Sequence, residues 1–259
     1  MVSYIRRKHL LNRSKVEWTD YNCNHYVGCE HDCGYCYARL ISRCKREEWR
    51  KVQVVENAME LAVKDILSVN KPGARIMVSS MSDPYQPIED IERLTRSLIP
   101  ILAGFHRTCV PPQVILSTKS TLVTRDFELI KQFKNISLYM TVTAPKDLPE
   151  FEPNAPGNVA RMDALKEAHN DFGIHTIMGI EPWIPEVTKP LQIIKQVWPY
   201  VDEFIIGSWN HHYRAGSEAE KQAIRTYRAW LPEIVSFLRN HMKKFLVKTE
   251  LAKHMAVTA

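Results

Sequence analysis

Three cysteines on one short stretch carry the clearest chemistry in this sequence. The segment Gly28-Cys29-Glu30-His31-Asp32-Cys33-Gly34-Tyr35-Cys36 spaces its thiols as C-x3-C-x2-C, with an aromatic residue just before the third. Three thiolates on a tight loop can hold three irons of a [4Fe–4S] cluster. The fourth iron then has no protein ligand and is open to a small chelating molecule. A structural zinc site is the other chemistry open to this segment. Zinc normally takes four ligands, often as two C-x2-C pairs, so His31, Cys23 or Cys44 would have to complete the tetrahedron. Cys44 falls two helical turns beyond Cys36 and should be carried away from the loop, while Cys109 reads as a small buried residue.

A loop of this kind needs a frame. After the cysteines, short apolar runs alternate with longer amphipathic ones. The strand candidates are Arg75–Ser80, Gln113–Ser117, Ser137–Thr143, Ile174–Ile180, Glu203–Gly207 and Phe245–Lys248, with an earlier one at Asn24–Val27. Most are short and apolar throughout, as strands buried on both faces should be. Helical spacing covers Ala38–Lys51, Val54–Val69, Ile91–Leu102, Phe127–Phe133, Val159–Asn170, Leu191–Trp198 and Ala219–Met242, and Asp90 and Thr124-Arg125-Asp126 sit where helix starts want caps. The alternation predicts an α/β fold, a partial (β/α)6-type TIM barrel of parallel strands with outer helices; a doubly wound open sheet is the alternative. Residues 1–20 read as a loose N-terminal arm and 21–259 as one domain. Functional groups then gather at the C-terminal ends of the strands: Ser80, Ser82 and Asp83 on one, Lys119 and Ser120 on the next, then Thr141 and Thr143, then Glu181. The polar and aromatic run Gly207–Arg214 ends another strand at the same rim, and Lys248 and Glu250 the last. Adjacent histidines such as His211 and His212 point opposite ways in a strand and make a poor metal pair.

The chain has 259 residues with six cysteines, five of them within residues 23–44. Local clustering of this kind in a long chain suits metal or redox chemistry better than a disulfide framework. No stretch approaches the ~18 apolar residues of a membrane span, and the basic N-terminus lacks an apolar signal core, so a cytoplasmic location is expected. The formal net charge is +6, and residues 1–55 hold 11 Lys/Arg against 6 Asp/Glu, residues 220–253 hold 8 against 3. If the two ends meet, they form a basic face suited to a phosphate-bearing partner, a nucleic acid or nucleotide.

The cysteine motif is similar to the signature of the radical S-adenosylmethionine (SAM) superfamily. The stretch from Asn24 to Arg39, then Ser82-Asp83-Pro84-Tyr85-Gln86-Pro87-Ile88-Glu89, and Ser117-Thr118-Lys119-Ser120 with Arg125-Asp126 resemble blocks of its spore photoproduct lyase-like, or DNA repair photolyase-like, branch. Arg161 with Gly173-Ile174, and Glu181-Pro182-Trp183-Ile184-Pro185, resemble it more weakly. The resemblance implies a radical SAM enzyme. Cys29, Cys33 and Cys36 would hold the cluster, whose open iron chelates SAM. An electron, from a donor such as flavodoxin or ferredoxin, would split the sulfonium and give a 5′-deoxyadenosyl radical. Tyr35 would seat the adenine; Ser80, Ser82, Asp83, Lys119, Ser120, Thr143 and Glu181 would bind the rest of SAM. Tyr85 and Lys119 are the catalytic candidates, with Tyr139 and Tyr213 as further radical relays. The lyase has a hydrogen-donating cysteine near the end of the second strand, where this chain has Ser79-Ser80-Met81-Ser82-Asp83, so the lyase reaction itself is not implied. A radical SAM enzyme acting on a peptide or protein, and a zinc-stabilised nucleic-acid-binding module without catalysis, are the rival readings.

Overall fold

The computed structural model describes residues 2–209 and 216–254; His211, His212 and Tyr213 lie outside them. The strands are β1 (Ser3–Ile5), β2 (Leu11–Arg13), β3 (Tyr21–Cys23), β4 (Tyr26–Val27), β5 (Gln53–Val55), β6 (Arg75–Val78), β7 (Gln113–Thr118), β8 (Ile136–Thr141), β9 (His175–Trp183), β10 (Glu203–Ser208) and β11 (Lys244–Val247). The helices are α1 (Tyr37–Ile41), α2 (Arg46–Trp49), α3 (Ala58–Ile66), α4 (Ile88–Glu92), α5 (Leu94–Gly104), α6 (Phe127–Ile130), α7 (Asn158–Asn170), α8 (Pro190–Val197), α9 (Glu218–Asn240) and α10 (Thr249–Ala252). The main sheet runs β11-β10-β9-β8-β7-β6-β3-β2, parallel throughout except for the β2–β3 edge pair. This is the partial barrel of parallel strands that the alternation predicts. No helix among the described residues is long and apolar enough to cross a membrane.

Side-chain period two sorts each central strand between two cores. Ile76, Val78, Val114, Leu116, Leu138, Met140, Met178, Ile180, Phe204 and Ile206 face outward into the large core with the helices. Met77, Ile115, Tyr139, Ile177 and Ile205 face the lumen and pack on Trp18. The central strands are apolar at most positions because both faces are covered.

The first parallel strand lies at Tyr21–Cys23, just upstream of the expected Asn24–Val27. Tyr26–Val27 turns away and pairs with β5 in a small sheet ordered β1-β5-β4. The expected loose arm is instead bound to the body. β1 pairs with β5, β2 pairs with β3, and the Asp65 carboxylate of α3 accepts the Leu10 and Leu11 amides at 2.6 and 3.0 Å. Leu10, Leu11 and Trp18 are buried. They are too few and too irregularly spaced to register as a periodic element. The expected helix over Ala38–Lys51 breaks into α1 and α2, with Arg43 between them at φ +51°. The pattern over Val54–Val69 divides into β5 and α3, and Ile91–Leu102 is interrupted at Arg93, at φ +49°. Asp126 makes no side-chain cap; its carboxylate takes Arg96 at 2.5 Å and Arg125 at 3.1 Å. Asp90 sits inside α4. Cys109 is exposed.

Trp18 fills the lumen, with the Arg75 guanidinium 5.0 Å from its ring centroid and Tyr139 at 5.4 Å. Replacing it leaves a cavity lined by five strands. The expected cost of Trp18→Ala is about 3 kcal/mol, read as a lower urea midpoint; wild-type stability would show that residues 14–20 do not support the barrel.

Candidate functional site

The parallel strands all deliver their C-terminal ends to one rim, and a cavity of about 450 Å³ opens there. Cys29, Cys33 and Cys36 line it together, and so do Tyr35, Ser80, Ser82, Asp83, Lys119 and Glu181. Tyr85, Ser120 and Thr143 do not. Tyr85 is fully buried in the large core. The Ser120 hydroxyl accepts the Leu122 amide at 3.2 Å and starts the 3-10 turn Thr121–Asp126. Thr143 donates to Glu152 at 2.5 Å beneath the rim.

The cysteine loop is clamped mostly through its main chain. The Cys29 amide donates to the Trp49 carbonyl at 2.9 Å, Glu30 to the Gln86 side chain at 2.8 Å, and Gly34 to the Phe151 carbonyl at 2.8 Å. The Glu30 carboxylate in turn accepts the Ile88 amide at 2.7 Å. Gly28 holds φ +90°, and a Cβ there would lie 2.4 Å from the Trp49 carbonyl oxygen. Only glycine serves both demands.

Beneath the loop lies a buried ion pair, Arg161 to Glu152 at 2.6 Å. Glu152 also accepts the Tyr35 phenol and the Thr143 hydroxyl. Burial would raise the Glu152 carboxyl, but Arg161, Lys119 and Thr143 together hold it below its ordinary value. Burial pushes the Tyr35 phenol well up. Asp83 ties the next two strand ends together: its carboxylate accepts Thr118 Oγ1 at 2.6 Å, the Lys119 amide at 2.7 Å and the Tyr85 amide at 2.9 Å, with His31 Nδ1 at 3.4 Å. Burial lowers His31, with Asp83 opposing.

A third cluster stands on the opposite wall. The Tyr139 phenol donates to Glu181 at 2.5 Å, and Lys248 pairs with the same carboxylate. A Cβ at Gly179 would strike the Tyr139 hydroxyl, and one at Gly207 would lie 2.7 Å from Glu181 Oε2. Burial would raise Glu181, and Lys248 and Tyr139 bring it below its ordinary value. Lys15, Val16 and Glu17 reach the mouth from the N-terminal segment, and Lys248, Thr249 and Glu250 from the C-terminal one. Glu17 accepts the Thr249 amide at 3.1 Å and its hydroxyl, so the two ends of the chain do meet.

The donor set fits a cluster better than one ion. Burial, then Asp83 and the neighbouring Cys33, pushes the Cys29 thiol well up, and burial raises Cys33 to about 11. These sulfurs need a cationic centre to stay ionised. Among the described residues no three His, Cys, Asp or Glu side chains converge to hold a metal ion. A cubane places each thiolate on a different iron, so its three ligands need not converge as a tetrahedral zinc set must. The residues that could complete a zinc site are also engaged elsewhere: His31 faces Asp83, Cys23 is buried in the large core, and Cys44 lies 3.8 Å from Glu48. The Ser79 hydroxyl is buried at the cavity wall with no partner, and the Lys119 ammonium, 5.6 Å from the Tyr35 ring centroid, has no side-chain hydrogen bond or ion pair among the described residues. Both are available to a polar ligand.

Sequence reasoning missed Glu152, Tyr37 and the Lys15–Glu17 segment, and weighed His31 only as a zinc ligand, whereas it faces Asp83. Glu152 lies in the loop before α7 with no periodic neighbour to mark it; the only signal was a glutamate in an otherwise turn-like stretch.

No family model matches the chain. An uncharacterized protein of Methanocaldococcus jannaschii, MJ0683, is 30% identical over 256 residues, 93% of this chain and 92% of that protein. The fold is shared with spore photoproduct lyase and other radical SAM enzymes. A mutant of spore photoproduct lyase with bound AdoMet and dinucleoside spore photoproduct superposes with a TM-score of 0.67 at 13% identity, covering 95% of this chain and 81% of that one. Streptococcus suis SuiB bound to S-adenosylmethionine gives 0.54 at 12%, covering 90% and 51%.

A carboxylate whose folded value is depressed stabilises fully above its unfolded value, and that contribution is lost as pH falls through the folded one. Glu152→Gln should therefore flatten the acid limb of stability. At neutral pH it leaves Arg161 buried and unpaired, an expected loss of about 3 kcal/mol. Urea unfolding from neutrality down through the carboxylate range measures both; an unchanged acid limb would remove Glu152 from this role.

Proposed function

We propose, for a chain that belongs to the same family as the uncharacterized MJ0683 protein of Methanocaldococcus jannaschii, that it is a radical SAM enzyme acting on a nucleotide or nucleic-acid substrate. The observation that carries the reading is the set of three cysteines on one wall of a polar cavity at the C-terminal rim of a partial parallel barrel. Cys29, Cys33 and Cys36 would hold a [4Fe–4S] cluster. With SAM bound, that group supplies one-electron cleavage of the sulfonium and a 5′-deoxyadenosyl radical.

The chain's own residues bind, orient and enclose. Tyr35 is fixed by Glu152, so its ring stands at a set place on the wall. Lys119 offers a cation to a ligand carboxylate beside it, and Ser79 a hydroxyl. The Lys248–Glu181–Tyr139 cluster keeps the far wall polar yet nearly neutral, and Tyr139 retains its proton because burial and Glu181 both raise it. The two ends of the chain meet through Glu17 and Thr249 at the mouth, and the overall net charge of +6 favours a phosphate-bearing substrate.

Anaerobic reconstitution with iron and sulfide is the test. The expected product is a brown protein that converts SAM to 5′-deoxyadenosine when given a reductant, with both properties lost in Cys36→Ala. A colourless protein holding one zinc would overturn the reading. Lys119→Met should leave the cluster's visible absorption intact and weaken SAM binding about tenfold, the worth of one hydrogen bond to a charged group; unchanged affinity would take Lys119 out of the SAM site.

A further inference from the structure

The outer side of the cysteine loop is covered by a surface unlike the rest of the rim. Residues 37–51 hold six Lys/Arg against two Glu. Arg43, Lys45, Arg46, Arg50 and Lys51 are all exposed. Among them stand two exposed aliphatic side chains, Leu40 at 38% and Ile41 at 55%. Exposed apolar side chains on a cation-rich segment match the anatomy of a binding patch, an apolar centre with a polar rim.

This surface is joined directly to the cysteines. Cys36 is the residue that starts α1, and the Cys29 amide is bonded to the Trp49 carbonyl at the end of α2. Asp32, beside Cys33, takes Arg46 at 2.6 Å and Arg50 at 3.7 Å. Residues 39–51 contribute nothing to the cavity wall. The patch thus lies over the loop on a side that a ligand in the cavity leaves open.

We propose that the α1–α2 surface docks an acidic one-electron carrier protein. This rests on the radical SAM reading, which requires an electron from outside while SAM fills the cavity. Electron tunnelling falls steeply with distance, so the donor must sit close to the loop, and this surface is bonded directly to it. One electron leaves the carrier's reduced flavin or iron–sulfur centre and enters the group on the three cysteines; the carrier is oxidised by one electron, that group is reduced by one, and no bond is made or broken. Carboxylates on the carrier meet the exposed lysines and arginines, while its apolar rim covers Leu40 and Ile41. A nucleic acid fits this face less well, because its phosphates would match the cations but leave the two aliphatic chains against charge.

The test has two arms, both on the full chain with flavodoxin as the probe. The first measures flavodoxin binding at low salt to protein carrying no cluster. Wild type binds, and Lys45→Glu/Lys51→Glu and, separately, Ile41→Asp weaken binding about tenfold, with unchanged circular dichroism. The second follows reduction of the reconstituted protein by reduced flavodoxin and by dithionite. The flavodoxin rate falls about tenfold in the variants and the dithionite rate does not. Wild type that neither binds flavodoxin nor takes electrons from it overturns the docking surface, even if dithionite still drives 5′-deoxyadenosine formation and so upholds the radical SAM reading. A protein that binds flavodoxin in this variant-sensitive way but never assembles a cluster sinks the reading and leaves the surface standing. Variants that lose single-stranded DNA binding while keeping flavodoxin affinity assign the face to nucleic acid and overturn the proposal.

Discussion

A carboxylate and a guanidinium, both out of contact with water, hold the cysteine loop to the barrel. Two buried charges are expensive unless every donor and lone pair is satisfied. Here they are. Arg161 donates to the carbonyls of Pro156 and Thr141, to Asn158 and to Glu152, while Glu152 receives Thr143 and Tyr35. The pair therefore joins three parts of the molecule: Tyr35 of the loop, the end of β8 and the first turn of α7. Apolar residues of similar volume could fill the same space. They would not fix the phenol of Tyr35, and with it the wall on which the cysteines stand.

The lumen behind that wall is built by subtraction. Parallel register brings Tyr139 beside Ile177 and Ser117, and Ile205 beside Gly179. A side chain at Gly179 or Gly207 would occupy the space that Tyr139, Glu181 and Lys248 use. Lower down, the lumen is closed by Trp18, supplied by a segment outside the strand–helix repeat. The barrel thus has a plugged base and a polar upper chamber. The boundary falls at Tyr139, whose ring packs against Trp18 and whose hydroxyl belongs to the chamber.

What could be read from the sequence follows from this construction. Strands β6 to β10 are apolar at nearly every position, and a run of that kind has one interpretation in a repeating α/β chain. The cysteine spacing and the polar strand ends were legible for the same reason: the fold class dictates where strand ends go. The rim residues that turned inward were not. Ser120 caps a 3-10 turn and Thr143 feeds Glu152, and neither fact is visible without the three-dimensional partner. Tyr85 sits next to rim residues in sequence, but the chain turns after Asp83 and carries the ring into the core. The N-terminal strands escaped because three-residue pairings have no periodicity to detect, and Arg43 and Arg93 interrupt helices by backbone torsion alone.

The way the loop is held bears on how the site is made. Its contacts run through the amides of Cys29, Glu30 and Gly34, the Glu30 carboxylate and the Tyr35 phenol, so none of these anchors uses a cysteine sulfur. Small zinc modules work the other way, since their ligands organise the chain and folding waits for metal. Here the sheet, the Glu152–Arg161 pair and the Trp49 carbonyl position the loop by themselves. The sulfurs are presented by a frame of main-chain and carboxylate contacts, with burial raising the Cys29 and Cys33 thiols. Such a frame separates the contacts that hold the loop from the sulfurs that it presents.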